Sequence, residues 1–417
     1  MNRKEQKRNE MKGIFRSRMV ENSMNREDSA AGDAPDGAEH SERRSGKAGR
    51  LRIVIIASCV LAAILAGAFL WWRGTRPYRT VREIGFTESA GAGRLCLENE
   101  SGIVVYSADG VTLVDASGRE LWSHALRMSA PDVAVAGEYG VLADIRSAKA
   151  VIFDKSGVCA ELAPAGNILD MTISRRGLVA LHIDASGGDK IIFYDKTGDL
   201  LDIVISLTMA QSGFPLDMAL SPDGTGLAIS TSTRVGGSLK SRIAFYNFSV
   251  GKGEPERLVG YFSYDDVLFP QIAYLGEGQV CAVGDDRLCF FSLKNEASPA
   301  LIKELPLQTE LSRVAVQGGH VATLENARES AGQLLRLYDA AGNELFQKSI
   351  AFPCLSLSLS GDYVLIGGID RRLLLTAAGT TKYEGPIGDA AGALFSPAKD
   401  TLLEITGAGI RQYRLRY

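Results

Sequence analysis

Apolar positions along the chain fall into two regimes. From Ile53 to Trp72 no residue is charged, and ten are Ile, Val, Leu or Phe. At ~1.5 Å per residue a helix of this length covers the roughly 30 Å hydrocarbon core of a bilayer. Those ten side chains contribute on the order of −3 to −6 kcal/mol towards insertion, with no charge opposing them. Trp71 and Trp72 close the run, where indole rings favour the headgroup level. The pattern predicts a transmembrane helix over 53–72, preceded by a tail, 1–52, and followed by a short linker, 73–77. Ala66-Gly67-Ala68 resembles a cleavage site, but a 52-residue stretch before the apolar core is too long for the n-region of a signal peptide.

Beyond Pro77 the period changes. Short β-type runs alternate with Gly, Asp, Asn and Ser turns, and no amphipathic helical pattern of useful length appears. Val151-Ile-Phe-Asp-Lys-Ser-Gly157, Ile192-Phe-Tyr-Asp-Lys-Thr-Gly198 and Leu335-Arg-Leu-Tyr-Asp-Ala-Ala-Gly342 align, and Leu113-Val-Asp-Ala-Ser-Gly118 joins them. Each reads as a strand, an Asp-x-x-Gly turn and a second strand. Looser copies place Asn247, Ser292, Thr376 and Tyr413 at the Asp position. The eight anchors, at 115, 154, 195, 247, 292, 339, 376 and 413, are spaced about 43 residues apart on average, as four-stranded propeller blades are. Between them lie Leu220-Ser-Pro-Asp-Gly224 and Phe395-Ser-Pro-Ala-Lys-Asp400, each after an apolar run, with Ile173-Ser-Arg-Arg-Gly177 and Leu359-Ser-Gly-Asp362 as degenerate relatives.

These turns resemble those of WD40-like and quinoprotein-like propellers, in which they join the first and second strands of a blade. The resemblance covers roughly 78–417 and extends to bacterial membrane-anchored propellers of unknown function, a family that implies no activity. It implies an all-β domain over 78–417. Counting anchors gives eight blades, with seven as the alternative because the interval from 195 to 247 is wide and the last blade is irregular. That blade, 393–417, supplies only three strands. Tyr78–Phe86 is expected to be its outer strand, which closes the ring and leaves no open sheet edge there.

Charge divides unevenly between the two parts. The tail holds 13 Lys/Arg against 9 Asp/Glu, and the remainder 33 against 40. An acidic main domain without a basic face is no nucleic-acid binder. The tail, dense in charge around Asp33-Ala34-Pro35-Asp36-Gly37, cannot bury enough apolar surface to fold and is expected to be disordered. Arg43, Arg44, Lys47, Arg50 and Arg52 precede the span, while Arg73, Arg76, Arg79 and Arg82 follow it. This margin places the tail in the cytoplasm and the propeller outside it.

Catalytic patterns are missing. His40, His124, His182 and His320 have no carboxylate or cysteine at metal spacing, and no nucleophile elbow, His-Glu-x-x-His or phosphate-binding glycine loop occurs. Leu113-Val-Asp-Ala-Ser-Gly-Arg-Glu-Leu-Trp122 is similar to one repeat of quinone-dependent dehydrogenases, whose Trp recurs between blades; here Trp122 has no counterpart in later repeats. The resemblance therefore implies the fold without the cofactor, and neither cofactor nor metal is expected. A non-enzymatic parallel is the eight-bladed scaffold of outer-membrane assembly machinery. Cys281 and Cys289 flank Gly284-Asp-Asp-Arg287, but hairpin pairing of 282 with 289 turns their sulfurs to opposite faces, so no disulfide is expected.

The longest inserts are Thr231–Arg242, Glu325–Gln333, Thr208–Pro215 and Ser263–Pro270. All fall in connections from second to third strands or from one blade to the next, which share one end of a propeller. Long loops on a rigid scaffold are where binding concentrates. The candidate contacts there are Phe214, Arg234, Lys240, Arg242 and Tyr264, the acidic pairs Asp265, Asp266 and Asp285, Asp286, and Arg287, Arg328, Arg371 and Arg372. The expected role is a non-enzymatic binding or scaffold module at the cell envelope. Its partners would be the bilayer through 53–72 and a protein or wall polymer. The alternatives are an extracytoplasmic hydrolase or dehydrogenase, or an envelope sensor.

Overall fold

The computed structural model describes residues 45–74, 78–85 and 95–415, the last without 116, 187, 210–211, 250–256, 327–331, 370, 386–392, 399–400 and 407–408. The predicted tail disorder falls mostly on 1–44, outside the described residues. Two compact units result, 1–71 and 72–417.

The described residues of the first unit lie in a helix, Ser45–Gly74. Side chains are described for 55–69, and they have no buried face: Ile55, Ile56, Val60, Leu61, Ile64, Leu65 and Phe69 are each 53–63% exposed. Among the described residues no helix is long and apolar enough to cross a membrane.

The second unit is all β, and it is a β-propeller. Its described strands form eight four-stranded antiparallel sheets. In chain order sheets 1 to 7 cover 95–125, 131–162, 167–207, 214–265, 271–306, 311–350 and 354–385. Sheet 8 combines Ala393–Ala398, Thr401–Thr406 and Gly409–Leu415 with Tyr78–Gly85. That early strand pairs antiparallel with the last one, Tyr78 opposite Leu415 and Gly85 opposite Gly409. The expected pairing of 78–86 with the last strand is therefore present over 78–85, and Phe86 lies outside the described residues.

Period-two alternation explains how the sheets pack. Val141 and Ala143 face sheet 3, whereas Leu142 between them faces sheet 1. Second and third strands, buried on both faces, are accordingly continuous apolar runs such as Val151-Ile-Phe153 and Leu373-Leu-Leu375. Eight apolar clusters arise, each joining two consecutive sheets; the last packs Ile103, Val105 and Val114 of sheet 1 on Leu403 and Ile410 of sheet 8. Outer strands show the other regime, with solvent and sheet faces alternating along Glu344–Ile350.

Cys281 lies opposite Phe290 and Cys289 opposite Ala282. Cys281 packs towards sheet 6 and Cys289 towards sheet 4, and both thiols are free. Trp122 bridges sheets 1 and 2, its ring edge-on to Phe153 at 5.6 Å and its indole N–H donating to the Asp154 carbonyl at 3.1 Å.

Candidate functional site

The two ends of the propeller differ in what their polar groups are doing. At one end the repeat anchors form Asx turns. Asp195 accepts the backbone N–H of Thr197 (2.9 Å) and Asp199 (3.0 Å) and the Thr197 hydroxyl (2.7 Å). Asp115 and Asp339 repeat the arrangement with Ser117 and Arg119, and with Ala341 and Asn343. The turn glycines 118, 198 and 342 sit at φ of 77°, 87° and 77°, and a Cβ on Gly342 would lie 2.7 Å from Phe290. The Thr197 hydroxyl is the main reason the Asp195 carboxyl is held below its ordinary range. Burial opposes the charge at Asp115, Asp223 and Asp339, yet their turn hydrogen bonds outweigh it and lower these carboxyls as well. Such carboxylates are spent on their own backbone.

A cavity of about 220 Å³ opens at this end between sheets 4 and 5, with Asp223, Asn247, Tyr274, Lys294 and Glu296 in its lining. It lies where two neighbouring turns carry Asn247 and Ser292 in place of the anchor Asp.

The opposite end carries the long loops. In sheet 4 the strands Gly226–Val235 and Ser238–Asn247 are ten residues each, against five to seven for the second and third strands of the other sheets. Their tip turns at Gly236 and Gly237, φ 60° and 91°, with nothing within 4 Å of a Cβ on either. The hairpin is held from both sides: the Thr233 hydroxyl donates to the Met209 carbonyl at 3.5 Å, and the Asp266 N–H to the Leu239 carbonyl at 3.0 Å.

The candidate contacts separate into engaged and open groups. Lys240 pairs with Asp265 at 2.5 Å, and the Arg242 guanidinium stacks 3.8 Å over Tyr261. Asp286 and Glu304 both hold Arg287, while Asp285 accepts the Leu268 N–H at 3.1 Å and so fixes the neighbouring loop. Tyr264 is half-buried against Phe269, ring centroids 4.9 Å apart, and burial pushes its phenol up. Phe214, Arg234, Asp266 and Arg371 are exposed. Arg328 lies outside the described residues.

Arg372 is misplaced by the sequence reading. It is 1% exposed, donates to the carbonyls of Gly368 (2.5 Å) and Arg371 (3.1 Å), and faces Glu404 at 3.5 Å across the seam to sheet 8. Glu404 in turn accepts the Tyr413 hydroxyl at 2.8 Å. Arg371 and Arg372 are adjacent, so strand alternation sends one outward and the other into the seam.

Sequence reasoning also missed a set of inner-strand carboxylates. Asp132, Asp170 and Asp217 lie on the first strands of sheets 2, 3 and 4, and each accepts the N–H of the residue after it, at 2.9, 2.7 and 2.9 Å. Bulges immediately precede Asp170 and Asp217, and Asp217 also accepts the Ile272 N–H of sheet 5 at 2.7 Å. Burial, reinforced by the charge of Asp217 and opposed by the Met171 N–H, pushes Asp170 up to about 7. Burial likewise lifts Asp217 to about 6, against the Ile272 and Met218 N–H groups. The recurring Asp before an apolar Val or Met was the available signal. Behind them His182 is buried with its Nε2 3.4 Å from Asp189, its ring edge-on to Phe214 at 6.2 Å, and burial lowers its pKa. Among the described residues no three His, Cys, Asp or Glu side chains gather as metal ligands.

A family model matches residues 73–415, almost the whole propeller. The chain belongs to DUF5711, a family of unknown function. None of the curated proteins matches the sequence. Solved structures similar to this DUF5711 propeller include Sqt1 from Saccharomyces cerevisiae, at 12% identity and a TM-score of 0.55, covering 81% of this chain and 100% of that one. A eukaryotic initiation factor superposes at 13% identity and a TM-score of 0.51, over 79% of this chain and 88% of its own. BamB from Moraxella catarrhalis covers 82% of this chain and 98% of its own at 15% identity and a TM-score of 0.49. At 12–13% identity, what Sqt1 and the initiation factor share with this chain is the fold.

Proposed function

We propose that this DUF5711 member is a membrane-tethered, extracytoplasmic propeller of eight blades that serves as a non-enzymatic binding module, its long-loop end taking a protein partner. The observation that carries this reading is the contrast between the ends. At the turn end the anchor carboxylates are consumed by their own loops, whereas at the loop end Arg234 and Phe214 stand exposed at the sheet 4 hairpin and Arg371 stands exposed at sheet 7. The eight-blade count draws on the eight sheets and the eight seams that link them.

The membrane anchor draws on the uncharged run 53–72 and on the apolar side chains exposed all round its described part. Protease added to intact cells should remove a tag placed after Tyr417; protection of that tag, with a control ectodomain digested, would reverse the orientation.

An enzyme working from the central depression would draw on Asp170 and Asp217, the carboxyls lifted towards neutrality. Their bonds to Met171, Met218 and Ile272 give both a structural task at the strand bulges that accounts for them. The binding reading is tested by copurification from cells. Arg234→Glu with Arg371→Glu should lose the partner, while Asp195→Ala in a folded protein should keep it. Equal loss from both would place the working surface elsewhere.

A further inference from the structure

The sheet 4 hairpin carries more than length. Val235 at its tip is 60% exposed; Met209 (61%) lies in the preceding loop, Phe214 (45%) begins sheet 4's first strand, and Leu268 (36%) lies in the following loop. These positions belong together. Phe214 pairs with Ser232 on the hairpin's first strand, and Thr233 holds the Met209 carbonyl. On the other side Leu239 holds the loop that carries Leu268, through its bond from Asp266.

Arg234 immediately precedes Val235 on the hairpin's first strand and is exposed. Its neighbours have spent their charges, Lys240 on Asp265 and Arg242 on the Tyr261 ring, whereas Arg234 is exposed with no ion pair among the described residues. Among the described residues, the pairing of its strand with sheet 4's first strand ends at Ser232, and Thr233–Val235 extend past that pairing. An exposed apolar group, a cation with no ion pair among the described residues and a strand edge past the described pairing together set the chemistry of an occupant.

We infer that this hairpin is the docking element for an extended protein segment that combines apolar side chains with a carboxylate. This rests on the binding-module reading and specifies the partner's chemistry. The apolar side chains cover Val235, Met209 and Phe214, the carboxylate pairs with Arg234, and the segment's backbone meets Thr233–Val235. A second copy of the chain fits less well, because a two-fold contact at this tip would set Arg234 against its own counterpart.

The test uses the full chain in detergent micelles as bait for a phage-displayed library of random heptapeptides. The expected selection combines Leu, Ile or aromatic residues with Asp or Glu. A synthetic peptide from it should bind at least tenfold more weakly to Arg234→Glu and to Val235→Asp, each with an unchanged melting temperature. No enrichment, enrichment of basic peptides, or undiminished binding to both variants overturns the inference. If binding survives both hairpin variants but is lost with Arg371→Glu, the hairpin is excluded and the loop-end reading stands. If it survives all three, both fall. A concentration-dependent dimer abolished by Val235→Asp would put a second copy on the hairpin and also overturn the inference.

Discussion

Asp170 shows how one side chain can be at odds with the fold that holds it. Its carboxyl is lifted from 3.8 to about 7, so the folded chain binds the proton more tightly than the unfolded one. That preference stabilises the fold fully below about pH 4 and is lost as the pH rises through 7, a change on the order of 4 kcal/mol for this one group. Asn keeps an oxygen for the Met171 N–H but never ionises. Asp170→Asn should therefore unfold at higher urea than the parent at pH 8, with the gain vanishing near pH 4.5; an equal loss at both pH values would contradict it. Asp195 has the opposite sign, because its turn bonds favour the carboxylate. Asp195→Ala should cost about 1–3 kcal/mol in urea unfolding at pH 7. Both aspartates were visible as letters, but only the Asx turn has a local signature. The fate of Asp170 depends on burial and on Asp217 one sheet away, which no window of sequence contains. Arg372 was misread for the same reason: adjacent arginines look alike until Glu404 and strand alternation part them.

At the level of the strand and sheet, local pattern and tertiary structure agree wherever the repeat is strong. Asp-x-x-Gly anchors, apolar second and third strands and the Cys281/Cys289 alternation all follow from period two and turn chemistry. What stayed hidden is how seams are completed by groups far apart in sequence. The seam between sheets 7 and 8 buries Arg372, Glu404 and Tyr413 together. Losing one member strands the other charge, so Glu404→Leu should cost roughly 3–5 kcal/mol. The paired change Arg372→Met with Glu404→Leu should recover most of that loss in the same urea titration. The closing strand is a second case, since Tyr78–Gly85 meets Gly409–Leu415 from the far end of the domain. Removing 78–85 should abolish the single cooperative unfolding transition, because sheet 8 then keeps three strands and an open edge.

Across the propeller a ring of sheets gives two ends of different character, one whose anchor carboxylates bond their own turns and the other carrying long loops, exposed arginines and apolar side chains. Loop length along the sequence assigned Arg234, Arg371 and Phe214 to the long-loop end, where they lie exposed. It could not tell which neighbours were already engaged: Lys240, Arg242, Asp285, Asp286 and Arg287 all have partners within the fold. If partners approach the long-loop end, photo-crosslinking in living cells will show it, with a photoreactive residue placed in turn at 234 and 371 on the loop end and at 196 and 294 on the turn end. A discrete protein adduct is expected from 234 and 371 and none from 196 or 294. Adducts formed only from the turn end, or equally from both, would contradict an approach to the long-loop end.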